Sequence, residues 1–166
     1  MRAHGLGMGL ALLLSGCGAF SGGGPGEVNS YIGTWQYYSG TESQTCKDGS
    51  SPTQPLQGNA LTITQGDVNS ELRVQEGPCQ VVFLIGSAGA SLAREQECAV
   101  SGSGSGSGGP YTFSGSIRIT QSTLTYNNDT DLRITQADLR MLRYSTGQTF
   151  ECEVNTNGTL QKFSGR

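Results

Sequence analysis

From Ser30 onward, apolar and polar residues alternate with a period of two, in short runs separated by Gly, Asn, Asp and Ser. Because successive side chains of a strand point to opposite faces of a sheet, this alternation predicts β-strands with one face in a core. The run from Cys79 to Ile85 is apolar on both faces, which predicts a central strand. The pattern therefore predicts an all-β fold of about 8–10 short strands, an antiparallel barrel or a sandwich.

Two segments depart from this pattern. Residues 101–109 read SGSGSGSGG, which predicts a flexible Ser/Gly loop inside a single β domain that spans residues 30–166. Residues 136–143 have helical propensity, which allows one or two turns of helix, although their neighbours favour strand.

The amino terminus has the features of an export signal. Arg2 is followed by an apolar stretch from Leu6 to Leu14, as in the charged and hydrophobic regions of a secretory signal. The stretch is too short for a transmembrane helix, which needs about 20 residues.

Leu14-Ser15-Gly16-Cys17 follows this stretch and resembles the lipobox of bacterial lipoproteins. The resemblance implies a signal peptide over residues 1–16, cleavage before Cys17 and acyl chains on that cysteine. Residues 17–29 then form the lipidated cysteine and a flexible Gly-rich tether, and the membrane becomes a partner through the anchor. Gly18, in place of Asp, implies the outer membrane rather than the inner one.

With Cys17 assigned to lipid, four cysteines remain: Cys46, Cys79, Cys98 and Cys152. An even number in an exported chain predicts two disulfides, for which three pairings are possible. We favour Cys79–Cys98, which closes a local loop, and Cys46–Cys152, which ties the first strand region to the last. The spacing lacks the close thiolate pairs of zinc sites, so we expect no metal.

Composition excludes several functions. Charged residues are 14% of the chain and the net charge is −3, without a basic block of the kind that binds nucleic acid. The single histidine, His4, leaves with the signal peptide, which excludes catalysis by an imidazole. Phosphate-binding and dinucleotide motifs are absent, so we expect no cofactor.

Paired carboxylates are the remaining lead to enzymatic chemistry. Glu95 and Glu97 share one strand face, as do Asp129 and Asp131. We interpret the first pair as part of a solvated strand face and the second as part of an Asx-rich turn. The sequence therefore predicts a protein that is not an enzyme.

Gly33-Thr34-Trp35, near the start of the domain, resembles the opening of lipocalin-type (calycin) barrels. The resemblance implies that Trp35 closes the base of a barrel and that a basic residue of the last strand lies across the indole. Lys162 is the candidate for that residue, as a cation–π contact. The chain as a whole also resembles uncharacterised lipoproteins of Gram-negative envelopes.

Two functions are consistent with these features. The first is a membrane-anchored, non-catalytic binding or structural module of the cell envelope, whose partner is an envelope protein or cell-wall polymer and whose barrel interior is filled. The alternative is a lipocalin-like carrier of a small apolar ligand, which requires an apolar pocket of roughly several hundred Å³.

Overall fold

The computed structural model describes residues 27–106 and 109–163, which form one short helix and ten strands of a single antiparallel sheet. The helix is α1 (Val28–Tyr31). The strands are β1 (Gly33–Cys46), β2 (Thr53–Pro55), β3 (Ala60–Gln65), β4 (Glu71–Glu76), β5 (Cys79–Gly86), β6 (Gly89–Leu92), β7 (Gln96–Gly106), β8 (Gly109–Asn128), β9 (Asp131–Tyr144) and β10 (Thr149–Lys162).

The sheet closes on itself because β1 pairs with β3 on one side and with β10 on the other. The ring runs β1-β3-β4-β5-β6-β8-β9-β10, and β2 and β7 pair with β1 and β8 respectively. The all-β antiparallel prediction is confirmed, and the closed ring makes the molecule a barrel rather than a sandwich.

The base of the barrel is closed by α1 and the first residues of β1. Tyr31 and Trp35 are completely buried there, and the Trp35 indole N–H donates a hydrogen bond of 2.7 Å to the Tyr31 carbonyl. The Lys162 ammonium lies 5.3 Å from the centroid of the Trp35 ring, at the place where the lipocalin resemblance puts a basic residue. A Cβ on Gly33 would come within 3.0 Å of the Lys162 side chain, so glycine leaves room for this lysine.

Irregularities in two long strands change which residues face the interior. In β1 the register shifts between Tyr37 and Ser39, so buried Tyr37 is followed on the inside by Glu42. In β8 a similar shift lies between Ile119 and Gln121, after which Ser122 is buried. Such bulges insert an extra residue and reverse the alternation beyond it.

The Ser/Gly segment is a strand, so the prediction of a loop over residues 101–109 is wrong up to Gly106. Gly102 pairs with Phe113, and Gly104 pairs with Tyr111. A Cβ on either glycine would come within 2.6 Å of the aromatic ring opposite. The rings lie over the bare glycine backbone and shield its ladder hydrogen bonds, which explains why a glycine-rich sequence holds a strand here.

The suggested helical turns at residues 136–143 are also absent, because this segment belongs to β9. Both neighbouring strands, β8 and β10, pair with it along its length. Eight residues of helix would have few internal hydrogen bonds, whereas ladders on both sides give this segment backbone partners along its length.

Two disulfides cross-link strands of the barrel wall. Cys46 is bonded to Cys152, its direct partner in the β1–β10 ladder. Cys79, at the start of β5, is bonded to Cys98 of β7. These are the two pairs favoured from the sequence.

The signal segment, Cys17 and most of the tether lie outside the described residues. Within residues 27–106 and 109–163, no helix combines the length and apolar character needed to cross a membrane.

Candidate functional site

The barrel encloses a cavity of about 280 Å³ above the buried core of the base. The exposed residues Gln54, Asn59 and Pro78 mark its opening, between the β2–β3 connection and the β4–β5 turn. Apolar side chains form much of the wall: Leu56, Val74, Val81, Phe83, Ile117, Ile119 and Ile134. The cavity therefore has an apolar body that could exclude water from a bound molecule.

A network of charged side chains forms one part of the same cavity. The Arg140 guanidinium donates two hydrogen bonds to the Glu42 carboxylate, at 3.0 and 2.5 Å. Its Nε donates a third, of 2.9 Å, to Asp138. Both carboxylates are buried, so a paired cation is needed to offset the free energy of removing them from water.

Glutamine side chains complete this network. Gln44 and Gln54 donate hydrogen bonds of 2.9 and 2.7 Å to one Glu42 oxygen, and Gln136 donates one of 3.3 Å to Asp138. Every buried side-chain polar atom among the described residues has a hydrogen-bond partner, as expected for a network that is fixed in one geometry.

The surroundings shift the ionisation of Glu42 and Arg140. Burial alone would raise the pKa of Glu42, but the hydrogen bonds and positive charge of Arg140 outweigh it and hold this pKa below its usual value. Burial likewise disfavours the charged guanidinium, yet the two carboxylates raise the pKa of Arg140. Both residues are therefore charged at neutral pH.

Glu76, at the end of β4, is the third carboxyl group of the cavity. Burial raises its pKa and outweighs the positive charge of Arg140, which lowers it, while the negative charges of Glu42 and Asp138 raise it further. Burial raises the pKa of the nearby Tyr37 hydroxyl, and the charge of Glu76 raises it further. Tyr37 is thus neutral at physiological pH.

This arrangement is suited to recognition. Carboxylates, amides and one guanidinium meet apolar walls in a single concave site, as in pockets that hold and orient small molecules. In the described part of the chain, no group of three or more His, Cys, Asp or Glu side chains is placed to hold a metal ion.

The residues singled out from the sequence lie elsewhere. Trp35 and Lys162 are at the base and do not line the cavity. Glu95 and Glu97 are exposed, and Asp129 accepts a hydrogen bond from Tyr126 beside the β8–β9 turn.

The fold brings together four charged residues that were not predicted from the sequence: Glu42, Glu76, Asp138 and Arg140. One local signal was present. Gln136, Asp138 and Arg140 occupy alternate positions between Ile134 and Leu142, where polar residues continue the inward face of a strand. Glu42 and Glu76 carry no comparable signal.

Comparison with known proteins gives little further information. No family model matches the chain, and no curated protein is similar to it in sequence. Among solved structures, an S-type phycobiliprotein lyase from Guillardia theta is similar with 6% sequence identity and a TM-score of 0.29, covering 84% of this chain and 92% of that chain. A TM-score this low establishes neither a shared fold nor a shared function.

Proposed function

We propose that this protein is a non-catalytic binding module of the cell envelope that holds a small ligand inside its barrel. The observation that carries the proposal is the cavity of about 280 Å³, with apolar walls and a fixed polar network. Ligand pockets usually measure about 300–1,000 Å³ and combine apolar walls with a few placed polar groups. This cavity lies just below that range, which favours a small ligand.

Of the two functions considered from the sequence, the carrier is the better supported. A module that binds only macromolecules was expected to have a filled barrel interior, because it does not need an internal cavity. The polar network modifies the carrier hypothesis, because a purely apolar ligand would leave the hydrogen-bonding capacity of Gln54 and Glu76 at the cavity unused.

We further propose that acyl chains on Cys17 anchor the module to a membrane, the outer membrane in a Gram-negative cell. The support is the export signal and the lipobox Leu14-Ser15-Gly16-Cys17, since two or more acyl chains give stable anchoring. In a Gram-negative host, Cys17→Ser should move the protein from the membrane fraction to the soluble fraction. Recovery of this variant in the membrane fraction would contradict the anchor.

Native mass spectrometry of the full chain, extracted from envelopes with its disulfides intact, tests the binding function. We expect a stoichiometric small-molecule adduct that is released on denaturation. Val81→Phe places a larger side chain in the cavity and should abolish the adduct. Leu84→Phe on the exposed face of the same strand is the matched control and should retain it.

The bare polypeptide mass in the unmodified protein would refute the ligand-binding proposal. An adduct that survives Val81→Phe would place the ligand outside the barrel and would refute it as well. Near-ultraviolet circular dichroism of both variants checks that each retains native packing.

A further inference from the structure

The charges around the cavity do not balance. Three carboxyl groups, Glu42, Glu76 and Asp138, share the wall with one guanidinium, Arg140. All three donor nitrogens of that guanidinium are occupied by Glu42 and Asp138. Within the described residues, no lysine or arginine forms an ion pair with Glu76. Carboxyl groups therefore outnumber cations in the site, and Glu76 is the one that has no ion-pair partner among the described residues.

An excess of negative charge in a cavity selects ligands by the sign of their charge. A concave site with low-dielectric walls concentrates the field of its charges, so that it attracts molecules of opposite sign and repels those of the same sign. Burial, with a smaller contribution from the neighbouring carboxylates, raises the pKa of Glu76 despite the opposing charge of Arg140, so a further positive charge beside Glu76 would stabilise its ionised form. A cationic group of a ligand can supply that charge.

Along β4 and β9, the polar side chains of the cavity lie nearer the opening than the apolar ones. On β4, Val74 lies two positions nearer the base than Glu76, and on β9, Ile134 lies four positions nearer the base than Asp138. Phe83 extends this apolar region, whereas Ile119 lies beside Asp138 in the β8–β9 ladder and lines the polar part of the cavity. A ligand with a charged head toward the opening and an apolar body toward the base matches both regions.

From this distribution we infer that the ligand is a small cationic amphiphile, with an ammonium group beside Glu76 and a short hydrocarbon body among Val74, Phe83 and Ile134. The inference rests on the proposed ligand-binding function and adds the charge of the ligand to it. The ammonium group donates hydrogen bonds to the Glu76 carboxylate, which is then ionised. A carboxylate ligand of the same length is repelled.

Three probes of equal chain length and different charge test the inference: hexylammonium, 1-hexanol and hexanoate. Titration calorimetry at neutral pH uses the full chain with Cys17→Ser, so that no attached acyl chain can occupy the cavity. We expect hexylammonium to bind at least about tenfold more tightly than hexanol, the ratio that one charge-assisted hydrogen bond supplies. Hexanoate should bind more weakly than either.

Glu76→Gln removes the carboxyl group that has no ion-pair partner and keeps a side chain of nearly the same size. In this variant hexylammonium should lose its advantage and bind about as weakly as hexanol. Glu97→Gln, on the exposed face of β7, removes a carboxylate of equal charge outside the cavity and should leave all three affinities unchanged.

The outcomes separate the two proposals. Equal affinity for the three probes, or an advantage of hexylammonium that persists in Glu76→Gln, would overturn the charge selection and leave a barrel that binds small molecules. Binding of none of the three probes, together with a bare mass in native mass spectrometry, would overturn both.

Discussion

At the scale of single residues, Arg140 is the side chain on which the polar part of the cavity depends. It is the cation that holds both Glu42 and Asp138, through three hydrogen bonds. A lysine could supply the charge but not the planar fork that binds a carboxylate with two parallel hydrogen bonds. Removing the guanidinium leaves two buried carboxylates without their counter-ion, which costs much more than losing a surface ion pair.

We expect Arg140→Ala to lower the free energy of unfolding by about 3–5 kcal/mol at neutral pH. Arg140→Lys should lose less, because it keeps the charge. Arg143→Ala, an exposed arginine on the opposite face of the same strand, is the matched control and should change stability by less than about 0.5 kcal/mol. Urea unfolding measures all three, and equal effects of Arg140→Ala and Arg143→Ala would contradict the role of the network.

The cost of Arg140→Ala should also depend on pH. In the native protein the pKa of Glu42 lies below its ordinary value of 4.5, so its contribution to stability is present above that value and is lost as pH falls through the folded pKa. Without Arg140, burial raises the pKa of Glu42, and the variant gains stability when this carboxyl group takes up a proton. The difference between the two proteins should therefore narrow from neutral pH to about pH 4, and a constant difference would argue against ionisation as its cause.

At the scale of elements, the hairpin of β7 and β8 contains a strand where the composition of the segment predicts a flexible loop. A run of alternating Ser and Gly favours disorder when it is considered alone. Here it pairs with a strand that places Phe113 and Tyr111 against its glycines. Tyr144 of β9 packs on both rings, with centroids 5.5 Å from Tyr111 and 5.9 Å from Phe113, so the order of β7 comes from its neighbours.

Phe113→Ala should uncover the backbone of Gly102 and loosen β7. We expect amide hydrogens of residues 101–106 to exchange about two- to fivefold faster, the equivalent of a cross-strand pair worth about 0.5–1 kcal/mol. Ser114→Ala, on the exposed face beside it, should leave exchange unchanged. Hydrogen-exchange mass spectrometry resolves this segment, and unchanged protection in Phe113→Ala would show that the ring does not order the strand.

At the scale of the whole molecule, closure of the barrel depends on the pairing of β1 with β10. The ladder extends from Trp35 opposite Lys162 at the base to Cys46 opposite Cys152. The disulfide at its far end joins residues 106 positions apart, whereas Cys79–Cys98 joins residues 19 apart. A cross-link that closes a longer loop removes more conformational entropy from the unfolded chain.

The two disulfides should therefore contribute unequally to stability. Replacing Cys46 and Cys152 together by Ala should cost about 4.7 kcal/mol, and replacing Cys79 and Cys98 about 3 kcal/mol. Urea unfolding of both double variants measures the difference, and the fully reduced protein serves as the reference for loss of both bonds. An equal or greater loss from the short-range pair would refute the loop-length argument.

The sequence by itself determined the all-β class and the cysteines available for two disulfides. The alternation behind the first is readable because it depends only on side chains a few positions apart, and the cysteines are readable because their number is even. The residues at the base, Trp35 and Lys162, followed from the resemblance of Gly33-Thr34-Trp35 to lipocalin-type barrels.

Only the tertiary structure decided where the cavity lies and which charges face it. Glu42 points inward because the irregularity after Tyr37 reverses the alternation of β1, and a single extra residue in a strand leaves no distinct mark in a sequence. Its partner Arg140 is 98 positions away. Residues so far apart in the sequence come into contact only when the ring of strands closes. Closure determines which inward-facing positions of β1, β4 and β9 lie next to each other inside the barrel.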